Sequence, residues 1–361
     1  MGVLSLRGKP RLTVLGSSAL LATAALMLSS LAVAAPAGAA AGGNKGEPMP
    51  YQIFAPYFEA YDLSAGGLAQ QSQASGAKFL SLAFLQATTS APCVADWNGS
   101  ATQPIGHAVF GEDIAKIQAR GGNVIPSFGG YAADSTGTEI ADSCTDVGAI
   151  AHAYESLITT YHVSRIDMDV EANSLTNTVG IDRRNKAIAM TEAWAAARGL
   201  RIQFSYTIPS TAVGLTAAGI AVLRDAIADG ARIATVNAMT FDYYYGTPQD
   251  MLADTETAGA GLFSQLQALY PGLSSRALWH MVGVTEMPGI DDFGPDETFT
   301  TADAAPLLQW AEQQGIGFLS FWALQRDNGS CPGTKGAGAC SGVAQDNWFF
   351  SHTFEPFTRN G

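Results

Sequence analysis

Basic residues are scarce in this chain. Its 361 residues carry 19 Lys and Arg against 32 Asp and Glu, a formal net charge of −13. So acidic a chain, without a basic cluster, excludes nucleic acid and an anionic membrane surface as partners and leaves neutral polymers open. Cysteine is sparse as well. Cys93, Cys144, Cys331 and Cys340 show no C-x-x-C spacing, which argues against zinc ribbons and thioredoxin-like chemistry. The five histidines are scattered, and no convincing nucleophile elbow is present. No G-x-G-x-x-G follows the first apolar run, as a dinucleotide-binding sheet would require. Beyond residue 33 no stretch is long and apolar enough to span a bilayer.

What is present begins with export. Arg7, Lys9 and Arg11 precede an apolar stretch, and the small residues of "LAVAAPAGAAAGG" follow. That order is a secretory signal with A-x-A cleavage sites. Residues 1–40 read as signal and linker start, 41–50 as flexible linker, and 51–361 as one domain. Cleavage removes three basic residues and no acid, so the mature chain is more acidic still. An exported chain with four cysteines suggests two disulfides. Of three pairings, Cys331–Cys340, closing a Gly-rich loop, with Cys93–Cys144 is preferred. The Ala- and Gly-rich composition reads as bacterial, and the expectation is a secreted monomer.

Short apolar runs recur at 51–57, 79–86, 123–130, 164–171, 201–209, 235–244, 278–286 and 317–325. Most are continuous, as strands buried on both faces should be. Helical stretches lie between them at 113–122, 149–162, 183–199, 219–231, 261–272 and 303–315. In the third, Ala187, Met190, Trp194 and Ala197 share one helix face. The alternation predicts an α/β fold, a single-domain (β/α)8 TIM barrel, with a doubly wound sheet as the other candidate. His280 falls in the seventh run and reads as a core histidine.

The fourth run, "SRIDMDVE", sets Asp167, Asp169 and Glu171 two apart among Ile166, Met168 and Val170. A strand's period of two turns all three acids to one face. Like charges that close resist ionising together, so at least one pKa should rise. Barrel active sites lie at the C-terminal strand ends, which puts Glu171 at the mouth and Asp167 deepest. Calcium would need a glycine where Ala172 stands and an acid where Thr178 stands. Glycoside hydrolysis fits better, because it needs a carboxylic acid of raised pKa to protonate a leaving oxygen. Tyr57, Tyr206, Phe241, Tyr243 and Trp322 lie near strand ends, where aromatic faces could stack on sugars.

At these residues the chain resembles glycoside hydrolase family 18, the chitinases and their relatives. The family's D-x-x-D-x-D-x-E strand is matched at Asp167, Asp169 and Glu171, with Ser164 in place of the first Asp. Its S-x-G-G motif appears as Ser127, Phe128, Gly129 and Gly130. Its M-x-Y-D motif appears as Met239, Thr240, Phe241 and Asp242, and its late tryptophan as Trp322. The resemblance implies retaining, substrate-assisted hydrolysis of β-1,4-linked N-acetylglucosamine polymers, with no metal or cofactor. It makes Glu171 the acid and then the base. Asp169 would orient the acetamido group, Asp167 would share a proton with Asp169, and Trp322 would floor the reacting sugar's subsite. Phe241 lacks the hydroxyl that the family's tyrosine offers the acetamido group, and Tyr206 or Tyr243 is the expected substitute. Residues 287–316 leave little room for an inserted subdomain, which implies an open cleft and endo action. Two other readings share the motif: an endo-β-N-acetylglucosaminidase acting on glycoproteins, and a non-catalytic glycan-binding or inhibitor protein.

Overall fold

The apolar runs become strands because both of their faces find cover, polar or apolar side chains inside and helices outside. The computed structural model describes residues 49–336 and 338–358. The expected signal and nearly all of the expected linker lie outside the described residues. The first stave, β1, comprises Ile53–Phe54 and Tyr57–Glu59. There follow β2 (Phe79–Thr88), β3 (Asn123–Gly129), β4 (Arg165–Asp169), β5 (Gln203–Thr211), β6 (Ile233–Met239), β7 (Val282–Glu286) and β8 (Phe318–Phe321). Neighbours pair in parallel throughout, and β1 closes the ring by pairing with β8 at Ile53↔Phe318 and with β2 at Tyr57↔Ser81. This is the expected (β/α)8 barrel.

A main helix follows each stave, with short extra helices after β3 and β6: α1 (Leu68–Ser75), α2 (Glu112–Ala119), α3 (Val147–Tyr161), α4 (Thr178–Ala197), α5 (Ala217–Ala228), α6 (Met251–Leu269), α7 (Thr301–Gln314) and α8 (Phe349–Phe354). Their starts are written locally. Asp146, Asn177, Thr216 and Asp250 cap α3 to α6 by accepting backbone N–H groups. Thr300 and Asp303 form a capping box on α7.

Four expectations need correction. Residues 278–281 of the seventh run lie in a helix, Ser275–Met281, so His280 is helical and stacks on Tyr51 with ring centroids 3.9 Å apart. The sixth stave stops at Met239, and residues 240–246 form a loop. An added strand, Ala91–Trp97, pairs antiparallel with β2. Of the face expected on α4, Ala187 is buried, Trp194 is half-buried, and Met190 and Ala197 are exposed; the buried face carries Arg184, Asn185, Ala187, Ile188, Thr191, Glu192 and Ala195. Apolar spacing misjudged that face because polar residues with buried partners occupy it. Both disulfides pair as expected. Cys93–Cys144 ties the added strand to the end of a short helix, Ile140–Ser143, and Cys331–Cys340 closes the Gly-rich loop.

Candidate active site

Strand period decides what the barrel interior receives. Ile166, Met168 and Val170 face the helices and are fully buried. Arg165, Asp167 and Asp169 take the opposite, inward face. Register then sets Ser127 and Ser205 level with Asp167, and Gly129 and Thr207 level with Asp169. Asp167 is thereby ringed by hydroxyls. Ser205 and Thr207 approach Oδ1 at 2.8 and 3.0 Å, and Ser127 and Tyr57 approach Oδ2 at 2.8 and 3.0 Å. Burial pushes its pKa up, and these donors oppose the rise.

Asp169 stands differently. Its Oδ1 has no hydrogen-bond partner. Burial, then Glu171, Asp167 and Asp134, push its pKa well above the usual carboxylate range. No hydrogen bond joins it to Asp167 among the described residues, so the expected shared proton has no direct path in this arrangement.

Glu171 lies just past β4 in extended conformation and opens a 3-10 turn, Ala172–Leu175. Its backbone N–H donates to Asp134 Oδ2 at 2.6 Å. Burial pushes its carboxyl up to about 7, against an opposing N–H from Tyr131. Asp134 was missed from sequence. It is fully buried on the short helix Tyr131–Thr136, and its pKa is pushed up to about 8 by burial and then by Glu139, against Arg184. Arg184 Nη2 meets Glu139 Oε2 at 2.9 Å, both side chains about 1% exposed. Nothing in the spacing of these three residues announces the group, because they meet only through the fold.

The two motif glycines are required by close approach. A Cβ on Gly129 (φ +97°) would lie 2.1 Å from the Asp169 carbonyl oxygen, and one on Gly130 (φ +81°) 2.6 Å from the Phe84 ring. Phe84 in turn stacks on Trp322, with centroids 5.5 Å apart and planes 13° apart, and Tyr57 packs against both.

Above these rings opens a pocket of about 640 Å³. Of the sequence candidates it is lined by Tyr57, Gly129, Asp169, Glu171, Met239, Phe241, Asp242 and Trp322, and Asp167 lies beneath it. Tyr61, Phe84, Tyr131, Asp292 and Phe293 line it too and were missed. Tyr131 alone had a signal, as the residue after Gly130. Two candidates do not reach the pocket. Tyr206 alternates with the inward Ser205 and Thr207, so it points outward and donates to Asn185 Oδ1 on α4 at 2.7 Å. Tyr243 stacks on Tyr245, its hydroxyl beside Ser210 and Glu286. Neither supplies the hydroxyl that Phe241 lacks. Asp242 (φ +56°) accepts the Asp292 amide at 3.2 Å and donates its own to Asp291 at 3.1 Å. Burial, then Asp292 and Asp291, raise its pKa to about 8. Among the described residues, three carboxylates close enough to share an ion occur at Asp182, Asp225 and Asp229, outside this pocket, where Lys186 already pairs with Asp182.

No family model matches the chain. It is 29% identical over 330 residues to a probable bifunctional chitinase/lysozyme of Escherichia coli strain K12, covering 88% of this chain and 36% of that protein. It is 32% identical over 224 residues to endochitinase 11 of Metarhizium anisopliae, covering 59% of this chain and 42% of that one. The chain thus spans about four-tenths of the length of these curated relatives or less. The catalytic domain of a hyperthermophilic chitinase from Pyrococcus furiosus superposes with a TM-score of 0.74 at 30% identity, covering 87% of this chain and 97% of that structure. A barrel shared over that whole length, with the acids of β4 at its mouth, leaves one assignment: the chain belongs to glycoside hydrolase family 18.

Proposed function

We propose that this protein is a secreted, endo-acting chitinase that cleaves β-1,4-linked N-acetylglucosamine polymers with retention. The observation that carries the reading is Glu171, a carboxyl with pKa near 7 lining an aromatic pocket, two residues beyond the buried Asp169. Such an acid keeps its proton near neutrality until a leaving group needs it. Glu171 protonates the glycosidic oxygen as its bond to the anomeric carbon breaks. The substrate's acetamido oxygen bonds to that carbon, and Asp169 orients the acetamido N–H. Water then attacks the same carbon, the acetamido oxygen departs, and Glu171 takes the water's proton. Trp322, backed by Phe84 and Tyr57, floors the reacting sugar. The segment between β7 and α7 holds only a two-stranded ribbon, Gly289–Ile290 with Thr298–Phe299, which supports an open cleft and endo action.

Phe241 favours a second reading, a glycan-binding protein without turnover. Chitin oligosaccharides and a high-mannose glycoprotein, each incubated with the mature protein and read by mass spectrometry beside Glu171→Gln, separate the possibilities. Oligosaccharide cleavage that Glu171→Gln abolishes is expected. Release of the glycoprotein glycan alone would move the substrate, and binding with no cleavage of either would remove the enzyme reading.

A further inference from the structure

We propose that Arg165 is the buried counter-charge of the carboxylate column, holding Asp167 as an anion and leaving the column's resident proton on Asp169. The inference deepens the hydrolase reading and rests on it for its kinetic consequence.

Arg165 stands two residues before Asp167 on the same inward face of β4, and each is 2% exposed. Its Nε and Nη2 donate to one neutral acceptor, Gln203 Oε1, at 3.2 and 2.9 Å. Its Nη1 has no partner, and no carboxylate forms an ion pair with it among the described residues. A guanidinium stays charged, and burying it costs several kcal/mol when uncompensated. Filling space does not explain it, because Met49, Ile53, Ala55, Phe79, Ile125 and Phe318 already form a buried apolar cluster at this end of the barrel. The titratable groups that face it are Asp167 and His280, and His280 is neutral, its pKa lowered to about 4 by burial and then by Arg165 and Arg276. Asp167 is therefore the anion that balances it.

The hydroxyls agree. The Ser127, Ser205 and Thr207 hydroxyls converge on Asp167, and the Tyr57 hydroxyl is shared between it and Thr207, the arrangement that favours a carboxylate over a carboxylic acid. Asp169 Oδ1 has no donor, and Asp169 faces Glu171 and Asp134 besides Asp167. Of the two aspartates, Asp169 is the one that holds the proton. With Asp169 neutral, Glu171 faces one fewer anion. Asp134 remains behind it, followed by Arg184 and Glu139.

Removing the Arg165 charge makes every acid in the column bind its proton more tightly. Along the strand Asp169 lies about 13 Å and Glu171 about 20 Å from Arg165, so at an effective dielectric of about 20 their pKa values rise by about one and about half a unit. The basic limb of kcat/KM on soluble chitin oligosaccharides should move up by about half a pH unit in Arg165→Met and stay in place in Arg165→Lys. A purely structural Arg165 would lower stability and leave the limb unmoved, and that result overturns the proposal. Carbon-13 NMR of Asp-labelled wild type decides the charge order without turnover or a folded Arg165→Met. The carboxyl signal lost in Asp169→Asn should titrate above neutrality, and the signal lost in Asp167→Asn below it. The reverse order overturns the proposal, whereas a wild type that cleaves nothing overturns only the hydrolase reading.

Discussion

At the residue scale, Glu171 is held by its backbone and tuned by its side chain's surroundings. Asp134 takes its amide, so Asp134→Ala leaves a buried N–H unpaired. That should cost about 1–3 kcal/mol of stability and lower kcat by roughly tenfold or more. Asp134→Asn keeps an acceptor and should fall less on both, as thermal melts and turnover on one substrate would show. The pKa of Glu171 carries its own test. An acid must hold its proton, so kcat/KM should fall as pH rises through about 7. A flat profile to pH 9 would remove Glu171 from that role. Phe241→Tyr restores a hydroxyl at the pocket wall, where neither Tyr206 nor Tyr243 reaches. A gain in kcat is expected, and one hydrogen bond made in the transition state sets its ceiling at a few kcal/mol.

At the element scale, β3 and β4 need each other. Gly129 lets the Asp169 carbonyl approach, and Gly130 leaves room for Phe84 and so for its stack with Trp322. Gly130→Ala should displace Phe84 and raise KM for chitin oligosaccharides several-fold, with kcat less affected. The strand Ala91–Trp97 is anchored by Cys93–Cys144, which closes 51 residues. Loop-closure entropy gives that cross-link roughly 4 kcal/mol. Cys93→Ala with Cys144→Ala should lose a stability of that order in urea melts. Unchanged melts would mean the hairpin is held by packing alone.

At the scale of the whole molecule, the notable quantity is buried acid. Glu286, Asp134, Asp242 and Glu171 all have raised pKa values, near 8, 8, 8 and 7, and burial is the largest cause of each. The folded chain therefore binds more protons than the unfolded one between their ordinary pKa, near 4, and those values. Their contribution to stability is fully present below the ordinary pKa and is lost as pH rises through about 7–8. Replacing one such acid with its amide removes part of that slope. Glu171→Gln should melt close to wild type at pH 4 and several degrees above it at pH 8. The opposite order would mean that the folded state favours the ionised carboxyl.

Local chemistry was enough for a good deal of this. The period of two in residues 164–171 put three acids on one face, the helix caps sat where capping residues stood, and continuous apolar runs between helical stretches were sufficient for a closed parallel barrel. These follow from contacts within a few residues. What only the tertiary structure decided involves contacts across the chain. Register between β4 and β5 turned Thr207 inward and Tyr206 outward, and no residue near Tyr206 encodes that pairing. Residues 278–281 were read as the start of a strand and became the end of a helix, because a short apolar run fits either until its neighbours choose. Asp134, Arg184 and Glu139 come from separate elements and acquire raised or paired charges only when burial removes water from all of them together. A carboxylate's position in sequence can show that acids share a face, but its proton is assigned by the low-dielectric surroundings that folding assembles.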